Sequence, residues 1–210
     1  MIETTSLAGQ IGRASLVVMI WSMVDKILAI GKEMLTAQRF GVSVALDVFN
    51  VAQAFPGFLV LFFSGVLLSA FVPLYLEWRN RCSSQEADSQ ATWLIFLTTA
   101  FFAVLALICF SLSPVIIQLT GYGFGPKEKQ LGIMMERLLS LLVFIDGAGI
   151  LFRGILQARK MFLHLYVAPI FVNITIIFLL YYDTGLDIYV LVWGFLIGTL
   201  LKTIYMGVAL

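Results

Sequence analysis

The chain has 210 residues, 61% of them hydrophobic and 12% charged, with a formal net charge of +1. Soluble domains run about 45–50% apolar and about 25% charged, so this composition marks an integral membrane protein. A charge this near zero argues against a nucleic-acid partner. Apolar runs far longer than a strand, without ~10-residue alternation, exclude a β-barrel and leave helices.

Residues 1–12 are polar and are expected at the membrane surface; they lack the short apolar core and small-residue cleavage site of a secretory signal. The first span, residues 15–39, carries Asp25, Lys26, Lys32 and Glu33 where apolar residues belong. At about 100° per residue, with Asp25 at zero, Lys32 falls near −20°, Glu33 near 80° and Lys26 near 100°, so the four share roughly a third of the circumference. Leu16, Met23, Ile27, Ile30 and Met34 fall opposite. None of the four has an opposite charge at i+3 or i+4, so each needs water, another helix or a ligand. A charge at bilayer depth costs from about 2.5 kcal/mol upward, which makes this face a candidate functional site. The plainer alternative is a helix end at the headgroups with snorkelling lysines.

The second span, residues 44–78, would reach roughly 50 Å as one straight helix against a hydrocarbon core of about 30 Å, so a break near Pro56-Gly57 is expected. Asp47 lies near its entry. A polar loop over residues 79–90 follows, containing Cys82, and then a third span at residues 91–119. The glycines of GYGFGPKEK superficially suggest a phosphate loop, but without a preceding strand or a following GK[ST] the stretch reads as a turn. The fourth span, residues 131–156, carries Asp146 at its middle: a proton or ion carrier, the partner of a first-helix lysine, or a buried structural pair. The fifth and sixth spans cover residues 166–182 and 188–205, separated by a short turn at residues 183–187. With six spans, one side receives Arg13, Arg79, Arg81, Arg153, Arg159 and Lys160, the other Arg39, Lys127 and Lys129. The positive-inside rule then places both termini in the cytoplasm.

No enzyme signature is visible: HExxH and GxSxG are absent, and no Cys/His cluster suggests a metal. His164, the only histidine, reads as a surface residue beside a basic loop, and Cys82 with Cys109 gives no disulfide framework. No cofactor, metal or catalytic residue is expected.

Three stretches carry a resemblance: KEMLTAQRFGVSVALDVFNVAQAFPGFL, SGVLLSAFVPLYLEW and FRGILQARKMFLHLYVAPIFVNI. Together they resemble the N-terminal half of the MurJ/MviN lipid II flippases, within the superfamily of multidrug and oligosaccharidyl-lipid exporters. The most specific parts are Ala70 to Pro73, and Gly154 to Phe162 with Ala168, Pro169 and Asn173 beyond. The resemblance implies an all-α integral membrane protein of about six transmembrane helices, residues 1–210 forming one lobe of a two-lobe transporter. It implies movement of a polyprenyl-pyrophosphate-linked saccharide across the bacterial inner membrane by alternating access, with a second lobe as partner (a second copy or a separately encoded C-terminal half). Lys26 and Lys32 match cavity-facing basic positions, Glu33 and Asp47 acidic ones; with Asp25 they form the expected substrate-binding set, and Asp146 the candidate for ion or proton coupling. The family's basic pair after the Pro56 equivalent is here Val60-Leu61, which leaves room for an exopolysaccharide or O-antigen intermediate. The other readings are a cation-coupled drug exporter, a non-transporting scaffold for polysaccharide-synthesis enzymes, and a membrane-embedded transferase.

Overall fold

The computed structural model describes residues 2–81, 83–182 and 185–210, with the backbone alone at residues 2–14 and 84. The Arg13 side chain, Cys82 and Asp183, which entered the expectations above, lie outside the described residues. Within them the chain is all helical: α1 (Ile2–Phe40), α2 (Val44–Arg81), α3 (Ser84–Thr120), α4 (Pro126–Ala158), α5 (Phe162–Val167), α6 (Ile170–Tyr181) and α7 (Tyr189–Val208). Five spans are long and apolar enough to cross a bilayer: α2, α3, α4, the α5–α6 pair and α7. The sixth, α1, is long enough at 39 residues but carries the four charges from Asp25 to Glu33. Its apolar residues Leu16, Met19, Ile20, Met23, Ile27, Ile30 and Met34 are 54–68% exposed, which marks a lipid-facing stripe.

Several expected boundaries move. α1 begins at Ile2, so the polar N-terminal stretch continues the helix of the first span. The second span does not break at Pro56, because α2 runs through both Pro56 and Pro73. An interior proline loses one hydrogen bond and costs about 3 kcal/mol. Ending a helix inside hydrocarbon would leave more backbone groups without partners, at several kcal/mol each. The expected loop at residues 79–90 is mostly helix as well. Ser83 closes a capping box: its hydroxyl accepts from the Glu86 amide at 3.2 Å, and the Glu86 carboxylate accepts from the Ser83 amide at 3.1 Å. The turn in GYGFGPKEK occupies residues 121–125 only, since Pro126 opens α4, a favoured place for proline. The fifth span divides into α5 and α6 at Ala168-Pro169, where both residues keep helical dihedrals but proline has no N–H for the helical ladder.

α4 is the central element, packed on α2, α3 and α7, while α1 rests on α5 and α6. The two family-like motifs meet across the α2–α4 contact. A Cβ at Gly154 would lie 2.6 Å from Phe71 Cδ1, so only glycine lets the helices approach this closely. One helical turn on, Arg159 donates from Nε to the Tyr75 hydroxyl at 3.1 Å and from Nη2 to Asp88 at 2.8 Å. Tyr75 donates to the same Asp88 oxygen at 2.7 Å, which ties α2 and α3 to the end of α4. On the other side, Gly198 of α7 lies so near α6 that a Cβ would meet Val172 Cα at 2.7 Å, a small-residue crossing of the kind membrane helices use. His164 is half-buried rather than a free surface residue, sharing a 2.9 Å hydrogen bond with the Tyr205 hydroxyl.

Candidate functional site: a polar groove between helices

The packing splits the charged arc of α1. Lys26 and Glu33 point outward, their side chains 78% and 70% exposed. Asp25 and Lys32 turn inward, at 17% and 15%. Asp25 accepts a hydrogen bond from Asn173 of α6 at 2.9 Å and lies 3.6 Å from the Lys26 ammonium. The Lys32 ammonium sits 2.9 Å from the Glu33 carboxylate and 5.2 Å from the centre of the Phe195 ring on α7. The adjacent residue, not i+3 or i+4, supplies each of these four charges with its ionic partner.

Lys32 and Glu33 open onto a cavity of about 270 Å³ between α1, α2 and α7, lined also by Thr36, Asn50, Gln53 and Phe195. Gln53 and Phe195 also line a second cavity of about 320 Å³, which continues between α2, α4 and α7. The two form one groove. Its α4–α7 part holds Asp146, Arg153, Thr199 and Lys202, and Val60 and Leu61 line the same space. The Lys202 ammonium donates to Asp146 Oδ1 at 2.5 Å, and its side chain is only 11% exposed. Asp146 is therefore paired with a lysine, but from α7 rather than from the first helix. Gly149, between Asp146 and Arg153, allows the α4–α7 approach: a Cβ there would stand 3.0 Å from Thr203 Oγ1.

Of the expected binding set, the groove gathers Lys32 and Glu33, together with Asp146. Asp25 and Lys26 lie outside its lining, and Asp47 sits exposed in the first turn of α2, where an acid suits the helix dipole. Lys202 and Arg153 are groove residues not anticipated. The signal for Lys202 was present, a charge inside the last turns of an apolar span. Among the described residues no group of three or more His, Cys, Asp or Glu could hold a metal. What the groove offers is charge and hydrogen bonding in a cleft: three cations, Lys32, Arg153 and Lys202, against two anions, Glu33 and Asp146.

The family model described as "MurJ: Lipid II flippase MurJ" matches residues 36–210. The chain belongs to the lipid II flippase MurJ family. Its relatives include the "Lipid II flippase MurJ" of Thermosipho africanus (strain TCF52B), 30% identical over 189 residues, covering 90% of this chain and 39% of the relative. The "Probable lipid II flippase MurJ" of Buchnera aphidicola subsp. Acyrthosiphon pisum (strain APS) is 25% identical over 194 residues, covering 90% and 38%. A solved structure titled "Lipid II flippase MurJ, inward closed conformation" superposes with a TM-score of 0.79 at 28% identity, over 93% of this chain and 42% of that one. The chain thus spans about two fifths of the length of these MurJ relatives. The family match begins at Thr36, after the four charged residues of α1.

Proposed function

We propose that this chain is one lobe of a MurJ-type flippase that moves a polyprenyl-pyrophosphate-linked saccharide, of the lipid II kind, across the bacterial inner membrane. The observation that carries the reading is Lys32: a largely buried ammonium held by Glu33 and Phe195 at a polar cavity in an otherwise apolar bundle. A charge placed there needs a function to justify it, and an ammonium beside its carboxylate can exchange that partner for a phosphate. The headgroup binds at Lys32, and rocking of this lobe against a second one exposes the groove to the other side. Transport of this kind needs no covalent chemistry. Both termini face the cytoplasm in this scheme. Lys26, on the outward face of α1, and Asp47, at the exposed start of α2, meet the headgroup only where a second lobe completes the cleft.

Lys32→Ala should abolish complementation of a flippase-deficient strain while the protein still reaches the membrane. Lys32→Arg should be tolerated, because a guanidinium binds phosphate at least as well. Full complementation by the alanine variant would remove this site.

A further inference from the structure

We propose that Arg153 and Lys202 form a second anion-binding station at the α4–α7 end of the groove, taking the phosphoryl part of a diphosphate-bearing ligand, with Asp146 as its built-in competitor. The inference rests on the flippase reading above but concerns different helices and different residues. Arg153 is half-buried and lines two cavities, the α4–α7 part of the groove and a neighbouring space of about 260 Å³ bounded by Gln157, Phe162, Leu165 and Tyr166. Among the described residues its guanidinium has no hydrogen-bond or ionic partner. A half-buried guanidinium presenting its donors to a cavity has the fork that matches phosphate oxygens.

Lys202 supplies the second cation. Its ammonium has three donors, and among the described residues one of them is used, on Asp146. Asp146 and Arg153 stand seven residues apart on α4, about 20° short of two full turns and about 10 Å along the axis, so they share a face. Thr199, Lys202 and Met206 line the opposite wall from α7. This end of the groove therefore carries two cations and one carboxylate, so it favours an anion over a cation. An incoming phosphoryl group would take Lys202 from Asp146 and use the idle Arg153 together. Lys32, beside Phe195, stands seven residues of α7 from Lys202, about 10 Å of rise, which makes the stations successive rather than one site.

The test is binding of farnesyl diphosphate to the full chain in lipid nanodiscs, followed by native mass spectrometry, with thermal unfolding as the check on folding. Arg153→Gln should weaken binding at least tenfold and Arg153→Lys less. The double variant Asp146→Asn/Lys202→Gln, which removes the pair without stranding a charge, should also weaken it. Asp146→Asn alone should tighten binding several-fold, since the competitor is gone. Unchanged affinity in Arg153→Gln and Asp146→Asn, with loss only in Lys32→Ala, overturns the station and leaves the proposed function standing. No binding of the diphosphate by the wild type overturns both. Inorganic pyrophosphate binding as tightly as the farnesyl ester would support the station but assign it to free phosphates. Displacement by phosphatidylglycerol in the disc would overturn the diphosphate assignment in favour of a bilayer headgroup.

Discussion

Gly147 offers a sharp test of the α3–α4 packing. A Cβ at this position would stand 2.1 Å from Cγ of Phe102, 2.4 Å from its Cδ1 and 2.6 Å from its Cβ. Phe102 is fully buried and makes edge contacts with Phe63 and Phe101, at ring separations of 5.8 Å and 5.4 Å. Because the clash includes the Phe102 Cβ, turning the ring cannot relieve it, and the α3 backbone has to move. Overpacking of this sort costs about 1–3 kcal/mol or more, while alanine gains about 1 kcal/mol over glycine as a helix former. Taking the top of the cost range, Gly147→Ala should lose about 2 kcal/mol. Gly65 on α2 has nothing within 4 Å of the same hypothetical atom, so Gly65→Ala should gain about 0.5–1 kcal/mol. At about 2–4 °C per kcal/mol for a chain of this size, tryptophan-monitored unfolding in detergent should fall by about 4–8 °C for the first and rise by about 1–4 °C for the second. A Gly147→Ala protein as stable as the wild type would refute the packing described here.

Two further outcomes are expected. The outward Lys26 and Glu33 would cost about 2.5–3.5 kcal/mol each at the centre of a bilayer; mass photometry in nanodiscs should therefore show this lobe covered by a second lobe or a second copy, and a stable lone chain would refute that. Tyr122, 96% exposed between α3 and α4, lies on the non-cytoplasmic side in the proposed topology. Tyr122→Cys in a Cys82→Ser background should react with an impermeant maleimide in intact spheroplasts, and labelling only after lysis would reverse the orientation.

The helices and their number were legible because apolar runs of this length leave few alternatives, and Lys32 stood out because charge in such a run is expensive. The arc of charges on α1 was correct as an angle but not as an environment. Periodicity places Asp25 and Lys32 within about 20° of each other and the other two near 90°; only the packing of α5, α6 and α7 decides which pair is enclosed. The capping box at Ser83 and Glu86 was readable four residues at a time, yet the polarity of residues 79–90 masked it. Asp146 and Lys202 are 56 positions apart, and nothing local to either residue names the other. Finding that pair requires knowing that α4 and α7 are neighbours.

The order of packing has a mechanical consequence. α2, α3 and α4 form one set of mutually packed helices and α1, α5, α6 and α7 another, joined chiefly where α4 meets α7. The larger cavity of the groove lies along that junction, and the Asp146–Lys202 pair and the Gly149–Thr203 approach both span it. Inside the first set, the Phe71–Gly154 contact and the Tyr75–Asp88–Arg159 network leave little freedom. A change in the bore of that part of the groove would have to work against the Asp146–Lys202 pair, which joins the two sets.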